Sequence, residues 1–592
     1  MIVVKELIHP KDEHKMNWVE GVNEWGTVKC PNGLTRHIER KIDDEVITEA
    51  YTFTNDTERD IFTSLLDISI YTPFNDNYEK AEVCMTKKCH THIWCGGEIS
   101  YVLALRMGGE SPHLGLVLTQ GSLGGYSIER DLSKQSNDRG DFLLHPSPIS
   151  LAPGESFVIE WKLFWHEGKE DFYRKLMEYN PKFFHIKADN YVVFQGEPIK
   201  IYVDGELAVD ETADVLGERS YIISRNGLKT RCDTLVLPKL DELVKSRCYF
   251  IAEKQQYNNE NSRLNGAYLI YDNEYGHLFY SSNNDDNAAR ERVCMGILIA
   301  RYLRYKKDCF LNDSLMKYIG FIEREILDRE TGEVFNDYMR NNSWFRLYNF
   351  PWMSTFYIEL YHLYRDVGYL ETAYKIMGFF YAKGGGRFYA IDIPVAEIII
   401  CLEKEGMDVE KSDLLTLFKE HGDFMIEKGT NYPPHEVKYE QSIVAPAANL
   451  LIQVYQVTRE QKYLDGAKDQ MAVLELFNGD QPDYRMNGVA IRHWDGYWFG
   501  KRRMYGDNYP HYWSSLTGNA YDIFARILGD DKYEGKAEAS LRATLSMFNP
   551  DGSASCAYVY PASINGRNGG YYDPYANDQD WGLYFMVRYK GL

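Results

Sequence analysis

In the first 180 positions, apolar and β-branched residues come in short runs separated by turn formers. Val46-Ile47-Thr48, Tyr51-Thr52-Phe53-Thr54, Ile61-Phe62-Thr63 and Ile68-Ser69-Ile70-Tyr71 are such runs; Pro31-Asn32-Gly33 and Asn55-Asp56 are such breaks. Branched and aromatic side chains suit a pleated, half-buried surface, so the runs predict strands. Tyr101 to Leu105 predicts a buried strand, and Ile149 to Trp165, turning at Pro153-Gly154-Glu155, predicts a closing hairpin. Many short strands with regular turns predict a β-sandwich over residues 1–180. Phe172 to Phe184 reads as a short helical link ending near Pro181. Tyr191 to Phe194, Ile199 to Val203 and Thr234 to Leu237 then predict a small immunoglobulin-like β unit over 181–240. At about 50 residues such a unit needs a neighbour to lean on.

From about 240 the period lengthens. Met353, Phe356, Tyr357, Leu360, Leu363 and Tyr364 follow the spacing of one helix face. Ala288 to Tyr305 and the runs 312–326, 370–381, 394–404, 411–427, 440–456, 461–475, 514–528 and 534–547 predict further helices. Helical hairpins recurring every ~45–55 residues predict an (α/α)6 toroid over 241–592, with an open solenoid as the alternative. In a closed ring the loops at one end converge on the axis, so distant residues share one cleft.

Composition narrows the function. The net charge of −21 argues against nucleic acid and against docking on an anionic membrane. The 46 tyrosines favour ring-shaped neutral ligands, since a phenol offers an apolar face and a polar tip. Ten scattered cysteines in so long a chain favour reduced thiols. The N-terminal residues lack the basic and apolar regions of a signal peptide, and no run approaches the ~20 apolar residues of a membrane span. The expected location is cytoplasmic, unless a leader has been removed.

Chemistry concentrates in residues 492–513, R-H-W-D-G-Y-W-F-G-K-R-R-M-Y-G-D-N-Y-P-H-Y-W. No apolar period organises this stretch, so it reads as a loop entering a helix. His511 stands at that helix's N-terminus, where the dipole disfavours the imidazolium and so favours a neutral base. Residues 431–440 offer Tyr432, His435 and Glu436 beside two rigid prolines. Residues 571–581 offer Asn577, Asp578 and Asp580, oxygen and amide groups that suit sugar hydroxyls and, more weakly, calcium. Arg290 and Arg292 flank Glu291 at the first helix start, a pattern that a salt-bridged helix start also explains. Cys84, Cys89, His90, His92 and Cys95 have metal-like spacing. On a strand, however, Cys89 and Cys95 would face one way and His90 and His92 the other, so buried thiols and satisfied histidines are the expected reading. No nucleotide-binding motif is present and no cofactor is expected.

Several phrases carry a family resemblance: C-H-T-H-I-W-C-G-G, A-L-R-M-G-G, W-D-G-Y-W-F-G-K, Y-G-D-N-Y-P-H-Y-W-S and D-P-Y-A-N-D-Q-D-W. With the order of parts, the chain resembles six-hairpin toroid carbohydrate-active enzymes, most closely the rhamnose–glucuronate lyases, and also related toroid glucuronidases. The resemblance implies an enzyme acting at glucuronate in an oligo- or polysaccharide. A lyase would remove the C5 proton and expel the 4-oxygen. Its candidates are His511 or His435 as base, Tyr512 or Tyr432 as acid or base, and Lys501, Arg502, Arg503 and Asn508 as carboxylate clamp. A hydrolase would need two carboxylates, for which Asp507, Asp495, Glu436, Asp337 and Asp580 are candidates. Trp494, Trp498, Tyr505, Asn577 and Asp578 are expected to bind sugar. A non-catalytic glycan-binding protein is the third reading, and a homodimer is a further expectation.

Overall fold

The computed structural model describes residues 4–133, 139–282, 286–343, 345–433, 439–491, 493–495, 500–502 and 505–592. The first part holds β1 (Val28–Lys29), β2 (Leu34–Asp43), β3 (Val46–Asn55), β4 (Ile61–Phe62), β5 (Ser69–Thr72) and α1 (Ala81–Lys87). It continues with β6 (Cys89–Gly96), β7 (Ile99–Arg106), β8 (His113–Gln120), β9 (Leu123–Glu129), β10 (Asp141–Pro146), β11 (Ser150–Leu151), β12 (Ser156–His166) and α2 (Lys169–Tyr179). One sheet runs β2-β3-β12-β8-β7-β6; another contains β1-β5-β10-β9. Phe53, Leu116 and Trp161 of the first share a core with Ile70, Tyr126 and Phe142 of the second. Two sheets face to face over one apolar layer are a sandwich.

Along β7, Val102 and Ala104 point into the sandwich core, whereas Tyr101, Leu103 and Leu105 join the larger core on the other side. This strand is covered on both faces, which is why its sequence runs apolar from Tyr101 to Leu105. The expected hairpin at 149–165 is not one. β11 pairs with β4, and β12 lies between β3 and β8. The turn at Gly154 redirects the chain between sheets, which the apolar pattern alone does not distinguish from a hairpin.

Next come β13 (Ile186–Ala188), β14 (Val192–Phe194), β15 (Pro198–Val203), β16 (Glu206–Thr212), β17 (Gly217–Arg225) and β18 (Leu228–Leu237). They form two three-stranded sheets, β13-β15-β16 and β14-β18-β17. Their buried residues Ile199, Ile201, Cys232 and Val236 belong to the same cluster as the helices, so this small unit shares its neighbour's core.

The helices are α3 (Leu240–Phe250), α4 (Val293–Tyr305), α5 (Cys309–Phe321), α6 (Asn349–Tyr364), α7 (Val367–Ala382), α8 (Val395–Lys404) and α9 (Asp408–Lys428). They are followed by α10 (Gln441–Thr458), α11 (Gln461–Leu474), α12 (Trp513–Leu528), α13 (Asp531–Thr544) and α14 (Asp580–Tyr589). All the helical runs expected from 288 onward are present. From α4 onward the even-numbered helices are the more deeply buried: in α6 every residue from Asn349 to Tyr361 is buried, and in α10 every one from Gln441 to Val454, while α8 leaves Ile400 exposed. The odd-numbered ones bury a stripe, as α5, α9 and α13 do. That contrast separates inner from outer helices. α4 packs on α6, α10 on α8 and α12, and α14 on both α12 and α4.

Short strands decorate the helix ends: β19 (Ile270–Asp272), β20 (His277–Phe279), β21 (Leu327–Asp328), β22 (Glu333–Val334), β23 (His493–Asp495), β24 (Tyr505–His511), β25 (Ala557–Val559), β26 (Ser563–Ile564), β27 (Arg567–Asn568), β28 (Tyr571–Tyr572) and β29 (Tyr575–Ala576). The expected loop before α12 is therefore partly a sheet, with β24 between β23 and β25. Gly506 to His511 are buried throughout, so this strand lacks the apolar/polar alternation that would have betrayed it. β26 extends the sandwich sheet, lying parallel to β9 with Ile564 opposite Ile128. Among the described residues no helix is long and apolar enough to cross a membrane. None of the ten cysteines forms a disulfide.

Candidate active site

The N-termini of the inner helices meet. The side chain of Gln441, at the start of α10, donates to the carbonyl of Trp513 at the start of α12 over 2.8 Å. Arg292, before α4, donates to the side-chain oxygen Oδ1 of Asn577, just ahead of α14. Arg346, before α6, reaches Glu291 at 3.6 Å. Outer helices α5, α7 and α13 are capped by Asp308, Asp366 and Asp530. Among the described residues no inner helix from α4 to α14 is capped by the side chain of its own N-cap residue, though Gln453 accepts the Ala396 N–H of α8 at 3.2 Å and His511 the Trp513 N–H of α12 at 3.3 Å. Uncapped N-termini leave N–H groups and positive dipole ends directed at the same region, which favours an anion there.

The arginines reinforce that bias. Arg290, Arg292 and Arg346 approach the one carboxylate of Glu291 at 3.4, 3.9 and 3.6 Å. Burial opposes ionisation of Glu291, but Arg290, Arg346 and Arg292 outweigh it and hold its carboxyl below the usual range. Burial, then repulsion from Arg346, pulls Arg290 well below its ordinary value. Arg290 also has φ of +67°, a left-handed backbone that a non-glycine residue adopts at a cost. The cluster is thus rich in positive charge and held under strain.

His511 lies beside it, at the end of β24 and 1% exposed. Its Nδ1 accepts the backbone N–H of Trp513 at 3.3 Å. A backbone N–H can only donate, so the ring proton sits on Nε2, which faces Asp578 Oδ2 at 3.1 Å. Asp578 thereby fixes the tautomer and offsets the helix-dipole penalty on an imidazolium. The ring of Tyr512 lies 4.9 Å from that of His511. Burial, reinforced by Glu291 and Asp578, holds the Tyr512 phenol well above its ordinary range, so it is a proton donor and not a phenolate. His511, Tyr512, Asn577 and Asp578, chosen from two sequence stretches, are thus in one neighbourhood.

The other sequence candidates are placed elsewhere or engaged otherwise. Asp507 is buried and takes two bonds of 2.8 Å from Arg139 and a third, 2.8 Å, from Tyr126. Asn508 is buried in β24 opposite Val559. Lys501 binds Asp272 at 2.6 Å and Glu274 at 2.7 Å, and Arg502 binds Glu274 at 2.6 Å. These cations spend their charge on neighbouring carboxylates, so they do not form an open clamp. Asp580 is held by Arg247 through bonds of 2.6 and 2.9 Å, tying α14 to α3. Tyr432 donates to Gln470 at 2.6 Å and stacks on Tyr439 at 5.9 Å. Asp337 accepts from Tyr280 at 2.6 Å, and burial raises its carboxyl above the ordinary range. His435, Glu436, Trp498 and Arg503 lie outside the described residues; of Trp494, Asp495 and Tyr505 only the backbone, in β23 and β24, is described.

Cys89 and Cys95 point into the sandwich core. On the opposite face His92 bonds the Leu476 carbonyl at 2.9 Å, and His90 packs on Phe477 at 4.1 Å. Burial pushes the thiols of Cys84 and Cys95 up to about 12, so neither is a ready metal ligand. No group of acids, histidines and cysteines among the described residues is arranged to hold a metal. Arg346 is the candidate that sequence reasoning missed. Its near neighbours Tyr348, Asn349 and Trp352 only hold its side chain; the partner that gives it meaning, Glu291, lies 55 residues away on the approach to α4.

No family model matches the chain, and no curated protein is similar to it. Among solved structures, that of the polysaccharide lyase BACCELL_00875 is similar at 36% identity and a TM-score of 0.94, covering 99% of this chain and 98% of that one. A family 76 glycoside hydrolase from a bovine Bacteroides thetaiotaomicron strain is similar at 10% identity and a TM-score of 0.39, covering 85% of this chain and 99% of that one. An unsaturated glucuronyl hydrolase specific for heparin is similar at 12% identity and a TM-score of 0.38, covering 60% and 97%. The match over nearly the whole of both chains decides the matter: this chain belongs to the polysaccharide lyase family of the first of these structures and is a carbohydrate-processing enzyme.

Proposed function

We propose that the protein cleaves a glycosidic linkage at a uronic acid, glucuronate, in an oligo- or polysaccharide by β-elimination. On this reading residues 1–180 are a β-sandwich domain, 181–240 an immunoglobulin-like domain and 241–592 an (α/α)6 toroid that carries the site. The observation that supports it is three guanidiniums around one carboxylate, at uncapped helix N-termini, next to a His–Asp pair and a neutral phenol. Arg290, Arg292 and Arg346 bind the uronate carboxylate and stabilise the charge that builds on it when C5 loses its proton. His511 Nδ1 gives up the 3.3 Å bond it accepts from the Trp513 N–H to take that proton, and Asp578 stabilises the resulting imidazolium. The C5–H electrons form the C4–C5 double bond, the bond from C4 to O4 breaks, and Tyr512 protonates the departing oxygen. Asp507 and Asp580 each sit in a two-point arginine pair, which favours elimination over a hydrolase built on those carboxylates.

Incubation with uronate-capped oligosaccharides in labelled water tests the reading. Elimination yields a product that absorbs near the ultraviolet edge and carries no label. Label incorporation without that absorbance would replace it with hydrolysis, and intact oligosaccharide retained on the protein would replace it with binding alone.

A further inference from the structure

We propose that the cavity where the sandwich, the small β unit and the C-terminal strands meet is a second saccharide site, one that takes neutral sugar residues of the same glycan. The proposal rests on the glycan reading above. The cavity holds about 610 Å³, the scale of a small-ligand pocket, and draws its wall from β9, β17, β18 and the segments around Tyr484 and Tyr558.

Its lining differs from the arginine cluster in a way that sets the ligand's charge. Arg485 pairs with Glu218 and lies 3.8 Å from Asp483, and Arg231 pairs with Asp233 at 2.8 Å. Each cation here has its own carboxylate, whereas three guanidiniums share Glu291 at the other site. A neutral polyol, which forms hydrogen bonds without adding charge, suits the first arrangement, and an anion suits the second.

The wall also offers ring faces and a spare donor. The Arg485 guanidinium lies over Tyr484 at 4.2 Å and over Tyr558 at 4.6 Å, and Tyr558 packs edge-on against Tyr572 at 4.7 Å. These contacts fix a shelf of phenols on which the apolar face of a sugar ring can rest. Arg485 Nε is buried and has no hydrogen-bond partner among the described residues, a donor that a hydroxyl would satisfy.

Position links the two sites. Ala557 of β25 lies opposite His511, and Tyr558 and Tyr560 follow directly along the chain. At ~3.3 Å per residue the phenol shelf begins within roughly 10 Å of His511. A glycan of a few residues reaches from one site to the other.

Calorimetry of the full chain with glucotriose, galactotriose and mannotriose, none of which carries a uronate, tests the cavity. At least one of them binds, and His511→Ala binds it equally well. Tyr558→Ala weakens it roughly tenfold, the scale of one lost aromatic contact. Ser220→Trp, at an exposed position on the cavity rim, weakens it similarly without touching the interior. Absence of binding by all three sugars, or binding that both cavity variants leave unchanged, overturns the proposal. Failure of the elimination reading is distinguished separately, because it removes the double-bond product while leaving this calorimetric signal in place.

Discussion

Arg139 and Asp507 are 368 residues apart in sequence and form a two-point ion pair with both bonds at 2.8 Å. Arg139 belongs to the sandwich side and Asp507 to the strand that ends in His511. The same guanidinium also bonds the Tyr509 hydroxyl at 2.9 Å and pairs with Asp76. The sandwich therefore grips β24 four residues before the candidate base.

Removing one partner of so buried a pair strands the other charge. Arg139→Met is expected to cost ~3–5 kcal/mol of stability by urea unfolding. Arg139→Met combined with Asp507→Leu is expected to recover part of that loss, and an additive double-mutant cycle would refute the coupling.

Asp76, in the same cluster, titrates unusually. Burial, against the pull of Arg139 and a backbone bond from Thr91, pushes it up to about 6. An acid raised by folding favours the protonated native state. Its stabilising contribution is complete below the ordinary value of 3.8 and is lost as pH rises through about 6. Unfolding measured between pH 4 and pH 7 is expected to show this decline, and Asp76→Asn to flatten it.

His511→Ala is expected to lower turnover by about 10²–10⁴-fold while circular dichroism stays unchanged. Asp578→Asn is expected to lower kcat, since the imidazolium loses its partner. Near-normal rates in both variants would remove the pair from the mechanism.

Arg346→Gln is expected to raise KM for uronate substrates about tenfold or more, with Arg346→Lys partly restoring it. An unchanged KM would move the carboxylate clamp elsewhere.

Gly506 has φ of +141°, and a Cβ there would stand 2.4 Å from Ile564 Cδ1. Gly506→Ala is expected to cost ~1–3 kcal/mol by overpacking β24 against β26, read as a lower urea midpoint.

The helices were legible because apolar residues recur along them at the helical period, as Met353, Phe356, Tyr357 and Leu360 do, even where the fold goes on to bury the other faces too. The sandwich strands were legible through their β-branched and aromatic runs and the turn formers between them. β24 was not, because both its faces are buried against polar partners such as Arg139 and Asp578, and burial of that kind leaves no alternation. Of the candidate site, His511, Tyr512 and Asp578 stood out through residue type. Arg290 and Arg292 were visible, but a salt-bridged helix start explained them better. Arg346 became significant only once α6 was folded beside α4.

The contribution of β26 to the second sandwich sheet, beside β9, has a consequence for synthesis. Ala562 and Asn565 donate to the carbonyls of Tyr126 and Ile128 at 2.8 and 2.9 Å, closing the margin of β9. Until some 560 residues have left the ribosome that margin stays open, with its amides and carbonyls available to any passing extended chain. A nascent molecule must therefore guard an unfinished edge through most of its own translation, and a polypeptide cut short before its last strands would carry that sticky margin permanently.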